Sequence, residues 1–506
     1  MERRKNTIRN MIWGTVNKLI VTLVPFITRT VIINELGNEY LGLNSLFSSI
    51  LQILNLTELG ISSAIVYFMY KPIAQKDEEK ICALLNLYKK IYRVIGLIIL
   101  GIGLILVPFL DKLISGNIPS DINVKILYLI YLFNTVVTYW LFAYKKSLLQ
   151  AFQRNDIVSK VTSVLSILQA ALQIAIIFIF KNYYLYVIIM PIITIINNIC
   201  SAVISKKKYP EYEPRGKVSE NIKNELKQKV SGLMIYKICT TTRNSLDSIF
   251  ISAILGLNSV AIYNNYYMIM SSIVTFMSII TNSMTSGIGN SVAVETPKKN
   301  YRDMNKFNFV YMLLAGWCTI CLICLYQPFM KLWVGTEYML GLDCVILFGL
   351  YFYSLSIGAI RAVYSDAAGL WWESRHRAII ETIANVGLNF ILGKFFGLQG
   401  IILATLISIL VINFGYGSTI IYKYYFKEEK VSEYYLYHLK YFLITAFIAV
   451  VTYFICSLLK VDGMAKLIYN GMVCIIIPVI MYYVIYRKNK YWSEAKKMLK
   501  EILKIK

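Results

Sequence analysis

The chain has 506 residues, of which 57% are hydrophobic and only 16% are charged. Soluble domains carry about 25% charged residues, so this composition excludes an ordinary soluble protein. The formal net charge is +24, but the basic residues lie in alternate loops between apolar runs, which argues against a nucleic-acid partner. Apolar runs of about twenty residues recur throughout and predict an all-α polytopic membrane protein.

Fourteen apolar runs are long enough to cross a membrane as helices. They cover residues 10–33, 41–70, 91–110, 125–144, 157–180, 183–205, 230–255, 259–288, 307–327, 342–366, 377–396, 398–422, 440–459 and 466–486. When the N-terminus is placed on the cytoplasmic side of the membrane, most of the 52 Lys and Arg residues fall on that side as well. The positive-inside rule therefore predicts that both termini are cytoplasmic. No small-residue cleavage site follows the first run, so we interpret it as a retained span.

The first two spans carry charged and polar residues within apolar sequence. A charge in lipid costs from a few to about 10 kcal/mol, so such residues usually face a protein interior or a water-filled cavity. In span one, Lys18 and Arg29 lie within about 40° of one another on a helix, although Arg29 could instead extend to the outer interface. In span two, Gln52, Asn55 and Glu58 lie within an arc of about 120°. Glu58 is far from both ends of its span, so we expect it to face a lumen or to pair with Lys18.

Span seven carries a second set of charges. Arg243 and Asp247 are four residues apart and could pair along the helix, or Arg243 could face a substrate. When spans one and two are aligned with spans seven and eight, Lys18 lies opposite Lys237. This alignment indicates a weak internal repeat, of the kind that is common in secondary transporters.

Polar residues in the later spans are interpreted as structural. Near the inner ends of spans ten and eleven, we expect interfacial positions for Arg361, Asp366 and Glu381. Interhelical hydrogen bonds, worth about 1 kcal/mol each, are expected for Gln173, Asn282, Asn385 and Asn389. The spacing of Cys318, Cys321 and Cys324 is similar to that of cysteine ligands of an iron–sulfur cluster. No fourth ligand is near, so we interpret these cysteines as small apolar residues and predict no metal site.

The longest connection between spans is basic, contains two prolines and predicts a linker between two halves. We predict an N-terminal bundle of six spans at 1–205, a cytoplasmic linker at 206–229, a C-terminal bundle at 230–426, two additional spans at 427–486 and a basic amphipathic cytoplasmic tail at 487–506. The sequence has neither a G-x-x-x-x-G-K-[ST] phosphate loop nor an H-E-x-x-H motif. We therefore predict no catalytic residue and no enzymatic activity.

Three stretches resemble bacterial polysaccharide flippases of the O-antigen or teichoic-acid type, within the multidrug/oligosaccharidyl-lipid/polysaccharide exporter superfamily. They are MIWGTVNKLIVTLVPFITRTVIINELGNEYLGLNSLFSSILQILNLTELGISSAIVYFMYKPIA, LLQAFQRNDIVSKV and AAGLWWESRHRAIIETIANVGLNFILGKFFGLQGIILAT. The resemblance implies two pseudo-symmetric six-helix bundles plus two C-terminal helices, with a central cavity that alternates between inward and outward access. It further implies transport of polyprenyl-diphosphate-linked oligosaccharides to the outer leaflet of the bacterial cytoplasmic membrane. Coupling to a Na⁺ or H⁺ gradient or to the membrane potential is proposed for several members, and no cofactor is expected.

The charged and amide side chains inside the first, second and seventh spans match the chemistry of such a substrate. A diphosphate favours Arg or Lys in a desolvated groove, and a sugar chain favours amides and hydroxyls. The predicted cavity residues are Arg243, Glu58, Arg29, Lys18, Lys237, Asp247, Asn55 and Gln52. Expected partners are membrane lipid, the lipid-linked oligosaccharide and other polysaccharide assembly proteins.

Two other functions remain open from the sequence. A cation-coupled exporter of small molecules on the same fold would use acidic cavity residues, and Glu58 and Asp247 keep this alternative open. A membrane enzyme such as a polysaccharide polymerase is disfavoured, because the external loops are short.

Overall fold

The computed structural model of the chain describes residues 2–55, 61–220, 223–224, 241, 245–459, 461–489 and 491–494. Within these residues every regular element is a helix, which confirms the predicted all-α fold. Ten helical segments in this part of the chain are long and apolar enough to cross a membrane, or eleven if one bent pair counts as a single span. The protein is therefore a polytopic membrane protein.

The chain divides into two compact units, Met1–Ala261 and Ile262–Lys506. The helices of the first unit are α1 (Glu2–Glu35), α2 (Asn38–Leu54), α3 (Ile61–Gln75), α4 (Glu78–Leu106), α5 (Val124–Trp140), α6 (Ala143–Ala151), α7 (Asn155–Phe180), α8 (Tyr183–Lys208) and α9 (Ser245–Leu255). A 3₁₀ helix, Val107–Leu113, continues α4. The predicted domain limits stay predictions, because the two units are defined by packing alone.

Most of the next helix, α10 (Leu257–Val294), belongs to the second unit. The further helices of this unit are α11 (Pro297–Trp333), α12 (Leu342–Ile357), α13 (Ala359–Ala367), α14 (Arg375–Ile407), α15 (Gly417–Tyr424), α16 (Val431–Leu458) and α17 (Gly463–Tyr486). A π-helix, Ser408–Tyr416, joins α14 to α15.

Capping side chains explain where several helices begin. The Asp77 carboxylate accepts a hydrogen bond from the backbone N–H of Lys80 at 3.0 Å, which satisfies one of the free N–H groups at the start of α4. A second hydrogen bond, from the Lys80 ammonium group, holds the pKa of Asp77 below its usual value. Helix α11 begins with Pro297, and the Thr296 hydroxyl accepts from the N–H of Lys299. Proline suits this first position because it needs no hydrogen-bond partner there.

Predicted spans eleven and twelve form one helical stretch, Arg375–Tyr424, which is interrupted at Gly397. The Asn385 amide donates a hydrogen bond to the Thr405 hydroxyl at 3.0 Å, across 20 residues. Twenty residues of straight helix would separate these side chains by about 30 Å, so the stretch must fold back at Gly397. It therefore forms a tight hairpin of two spans, as the sequence predicted.

Two predicted spans lie partly outside the described residues. Helices α2 and α3 flank residues 56–60 of span two, and α9 covers the C-terminal part of span seven. Span four corresponds to the bent pair Val124–Trp140 and Tyr144–Ala151. Each remaining predicted span coincides with a long apolar helix or with one arm of the Arg375–Tyr424 hairpin.

Two of the four predicted interhelical hydrogen bonds are confirmed. Gln173 on α7 donates to the Tyr186 carbonyl on α8 at 3.1 Å, and Asn385 joins the arms of the hairpin. Asn389 donates to the Asn385 side chain at 3.3 Å within α14. Asn282 is exposed on α10 and makes no interhelical hydrogen bond within the described residues.

The start of the predicted linker lies against the first unit. Lys145 on α6 is 3.5 Å from the Glu213 carboxylate, and the Asn86 amide on α4 donates to the Gly216 carbonyl at 2.8 Å. The Phe152 and Tyr209 rings stack with centroids 4.2 Å apart. This part of the linker is therefore anchored to α4 and α6 by ionic, polar and aromatic contacts.

Candidate functional site

A cavity of about 240 Å³ lies inside the first unit, between α1, α2, α7 and α8. We call it the Arg29 cavity. Its polar lining includes Arg29 on α1, Asn44 on α2, Gln169 and Gln173 on α7, and Tyr186 on α8. Because α1, α7 and α8 are candidate spans, this polar cavity lies within apolar sequence.

Proline alters the backbone of α1 beside the cavity. Pro25 lies one turn before Arg29 and has no N–H, so the Val21 carbonyl cannot receive the usual helical hydrogen bond. Both Val21 and Pro25 line the cavity. The Thr28 hydroxyl donates to the Pro25 carbonyl at 3.2 Å. The helix wall of the cavity thus combines backbone carbonyls with a cationic side chain.

Tyrosine hydroxyls connect the helices around this region. The Tyr131 hydroxyl donates to the Asn44 side chain at 2.9 Å and lies 3.2 Å from the Tyr183 hydroxyl. The Tyr183 hydroxyl donates to the Tyr40 carbonyl at 3.0 Å. The Tyr183 and Tyr186 rings stack, with centroids 5.5 Å apart and planes 11° from parallel. These bonds hold an aromatic wall beside the cavity in one arrangement.

Arg29 faces this aromatic wall. Its guanidinium interacts electrostatically with Tyr183 and Tyr186, and its Nη2 atom is buried. The residue as a whole is half-buried, and the extension of its side chain to the membrane interface stays a prediction. A guanidinium presents a planar set of donors that matches phosphate oxygens. The cavity therefore combines a group suited to a phosphate with amides and hydroxyls suited to sugars.

Sequence comparison matches residues 7–286 to the family described as polysaccharide biosynthesis protein. This match covers more than half of the chain. The chain belongs to the polysaccharide biosynthesis protein family. The family assignment agrees with the resemblance found in the sequence. No curated protein matches this family member.

Solved transporter structures share the fold of this family member. The lipid II flippase MurJ, in an inward closed conformation, has a TM-score of 0.70 and 16% identity, over 94% of this chain and 99% of that chain. An inward-facing multidrug resistance MATE family transporter of the MOP superfamily has a TM-score of 0.59 and 15% identity, over 80% and 96%. A variant of the Vibrio cholerae MATE transporter VcmN has a TM-score of 0.56 and 16% identity, over 85% and 99%. These likenesses show that the chain shares the fold of these solved transporters.

The structure does not gather all the predicted cavity residues in one place. Outside the described residues lie Glu58, Lys237 and Arg243. Lys18 is exposed on α1, about 16 Å along the helix axis from Arg29. It does not line the Arg29 cavity, and its predicted role in binding stays a prediction.

Gln52 and Asn55 interact with neighbouring helices of the first unit. The Ser245 hydroxyl on α9 donates to the Gln52 side chain at 3.2 Å. The Tyr139 hydroxyl on α5 donates to the Asn55 side chain at 3.1 Å. Asp247 on α9 is fully buried. The predicted pairing of this residue with Arg243 lies outside the described part of the chain.

A buried charged cluster in the second unit was missed by sequence reasoning. The Arg377 guanidinium lies 2.9 Å from the Glu381 carboxylate, which also accepts a hydrogen bond from the Asn413 amide at 2.9 Å. Arg361 donates to the Asn413 side-chain oxygen at 3.3 Å. We call these four residues the Glu381 cluster. The sequence placed Arg361 and Glu381 at the interface, whereas the structure leaves them only 5% and 4% exposed.

The cluster could be recognised only in part from the sequence. Arg377 and Glu381 have the i,i+4 spacing of a helical ion pair, and this signal was available. Asn413 lies on the π-helix, which the sequence does not predict, and π-helices occur frequently at functional sites. Its contact with Glu381 exists because the chain folds back at Gly397.

Three cysteines of the second unit also meet only in the folded chain. The sulfur atoms of Cys324, Cys456 and Cys474 lie within 4.8 Å of one another, and all three residues are buried. Cys318 and Cys321, which the sequence spacing grouped with Cys324, do not belong to this set. Three thiolates in an apolar interior would carry a large desolvation cost, so we interpret the group as packed thiols.

Proposed function

We propose that this chain flips polyprenyl-diphosphate-linked oligosaccharide repeat units across the bacterial cytoplasmic membrane. Transport from the inner to the outer leaflet, by alternating access, would supply surface polysaccharide biosynthesis. The family assignment and the fold shared with the flippase MurJ support this proposal. The observation that carries it is the Arg29 cavity, in which a guanidinium lies among amides and hydroxyls inside membrane-spanning sequence.

Arg29 supplies the charge that a diphosphate needs. Hydrogen bonds between ionised partners are about twice as strong as neutral ones, and they strengthen where water is excluded. Around it, Asn44, Gln169, Gln173 and Tyr186 supply donors and acceptors for sugar hydroxyls. We assign diphosphate binding to Arg29 and sugar contacts to the amide side chains.

The second unit contains an apolar groove of its own. It has a volume of about 420 Å³ and lies between α11, α12 and α16. Its walls include Ile346, Leu350, Ala449 and Phe454. A lipid tail lying in this groove would contact mostly apolar side chains.

Replacement of Arg29 tests the proposal in cells. We expect Arg29→Ala to reduce export of surface polysaccharide at least tenfold, and Arg29→Lys to retain a substantial part of it, because the cation is kept without its planar donors. The measurement is surface polysaccharide in a deletion strain that carries each variant at equal membrane abundance. Lys394→Gln, which removes an exposed charge on α14, is the matched control and should export normally. Normal export by Arg29→Ala would remove Arg29 from the mechanism.

A cation-coupled exporter of small molecules is the second candidate function. The observation that favours it is Asp247, a fully buried carboxyl in a fold shared with MATE transporters. Under this alternative, deletion of the gene would raise drug sensitivity, and Asp247→Asn would remove the dependence on a Na⁺ or H⁺ gradient. Unchanged drug sensitivity together with loss of surface polysaccharide would favour the flippase.

A further inference from the structure

A second polar cavity, of about 440 Å³, lies in the second unit between the turn before α14 and the end of α15. We call it the Arg375 pocket. It is lined by Trp372, Glu373, Arg375, His376, Tyr416, Thr419, Ile420, Lys423 and Tyr424. It shares no lining residue with the Arg29 cavity or with the apolar groove.

The position of the pocket follows from the Arg375–Tyr424 hairpin. This hairpin starts at Arg375 and ends at Tyr424, so both residues lie at the same end of its two spans, at one face of the membrane. Trp372 and Tyr424 are 64% and 46% exposed, and exposed Trp and Tyr are enriched where headgroups meet the lipid core. The positive-inside rule assigns this face to the cytoplasm. The pocket therefore opens at the headgroup level of the inner leaflet.

The pocket contains two cations that remain available for an anion. Among the residues that the structure describes, neither Arg375 nor Lys423 is within ion-pair distance of a carboxylate. The lining contains one acidic residue, Glu373, so two cations face one anion beside the imidazole of His376.

Aromatic contacts hold these cations in place. The Arg375 guanidinium lies 3.8 Å from the centre of the Trp372 ring, and its Nη1 donates to the Trp372 carbonyl at 2.7 Å. The Lys423 ammonium lies 5.4 Å from the centre of the Tyr424 ring. Restricting these long side chains before a ligand arrives lowers the entropy that binding must overcome.

We propose that the Arg375 pocket binds the phosphate of an anionic phospholipid headgroup in the inner leaflet. The volume is within the range of about 300–1,000 Å³ typical of small-ligand sites. Arg375 and Lys423 would bind the phosphate, and the Tyr416 hydroxyl would donate to a remaining oxygen. Basic pockets beside membrane helices on the cytoplasmic side are suited to such headgroups. This role is independent of the transported substrate.

Lipid binding by the purified full-length protein tests this proposal. The protein is placed in phosphatidylcholine nanodiscs with increasing fractions of cardiolipin or phosphatidylglycerol. We measure the Tm of the protein, and we count the lipids that it retains by native mass spectrometry. We expect anionic lipid to raise the Tm. We expect the double variant Arg375→Gln with Lys423→Gln to bind anionic lipid about tenfold to a hundredfold more weakly, because it loses both cations that would contact the phosphate.

Matched controls separate a specific site from surface charge. The variant Lys427→Gln with Lys430→Gln removes two exposed charges that lie outside the pocket, just after Tyr424, and should bind anionic lipid as the wild type does. Equal losses in the two double variants would overturn the proposal. If the pocket variant does not fold, Lys423→Gln alone, at an exposed position, should still weaken binding severalfold, and wild-type binding by this variant would overturn it.

A soluble phosphate compound is the competing ligand. Inorganic pyrophosphate is therefore titrated against the protein in nanodiscs of phosphatidylcholine alone. We expect little change in Tm, since the pocket lies at headgroup level. A rise equal to that produced by anionic lipid, and absent from the pocket variant, would identify a site for soluble phosphates and overturn the assignment to lipid.

Discussion

At the scale of single residues, Glu381 shows how a carboxylate is kept inside the membrane-spanning part of the second unit. Its oxygens accept from Arg377 and Asn413 at 2.9 Å each. Taking a charge out of water is favourable only when such bonds replace the lost solvation. The carboxylate and the cations of the Glu381 cluster therefore stabilise one another. Removal of one charged member leaves a remaining charge buried without that partner.

This dependence gives a stability prediction. We expect Glu381→Ala to lower the free energy of unfolding by about 3–5 kcal/mol, because it leaves Arg377 buried without its carboxylate partner. Thermal unfolding of the purified protein measures the effect. Glu337→Ala removes an exposed carboxylate and should change stability by less than about 0.5 kcal/mol. Equal stability of the two variants would contradict the role of the cluster.

At the scale of elements, the Arg375–Tyr424 hairpin depends on two glycines. Gly397 has φ +57° and ψ −131°, a conformation that residues with a side chain rarely adopt. At Gly400, a Cβ would lie 1.9 Å from the Leu392 carbonyl oxygen. The two arms can therefore approach closely only because no side chain occupies position 400.

Substitution of Gly400 tests this hairpin. We expect Gly400→Ala to destabilise the protein by at least about 2 kcal/mol, because backbone atoms, rather than a flexible side chain, must move. Gly387→Ala, in the same helix and with no atom within 4 Å of the added carbon, is the matched control. Membrane abundance and Tm report the difference. A Gly400→Ala protein as stable as the Gly387→Ala protein would show that the hairpin is looser than described.

At the scale of the whole molecule, the sequence predicted the helical class and two adjacent spans that meet at residue 397, because long apolar runs are local signals. Its resemblance to polysaccharide flippases indicated the family. It named Arg29 as one of eight cavity residues, since a charge inside an apolar run has few places to lie, but it left open an extension of this side chain to the outer interface. It did not predict the contact of Glu381 with Asn413, because these two residues lie far apart along the chain. The same reason explains why Cys324 was grouped with Cys318 rather than with Cys456.

The predicted clustering of Lys18 with Arg29 illustrates a further limit. A helical wheel gives the angle between two side chains, but it does not give the depth of each in the bundle. The structure exposes Lys18 and places Arg29 in a cavity. Tertiary contacts decide which helices pack around each turn of α1, and the sequence pattern does not contain these contacts.

If this chain moves a lipid-linked diphosphate oligosaccharide across the bilayer through a path that includes Arg29, purified protein must do so in a defined membrane. Reconstitution into vesicles that contain a fluorescent polyprenyl-diphosphate-linked oligosaccharide measures this directly, with a membrane-impermeant quencher to report the labelled leaflet. We expect the wild-type protein and Lys394→Gln to accelerate transbilayer movement over protein-free vesicles, and Arg29→Ala to be at least tenfold slower than the wild type. Movement by the wild-type protein no faster than in protein-free vesicles, or full activity of Arg29→Ala, would contradict the proposal.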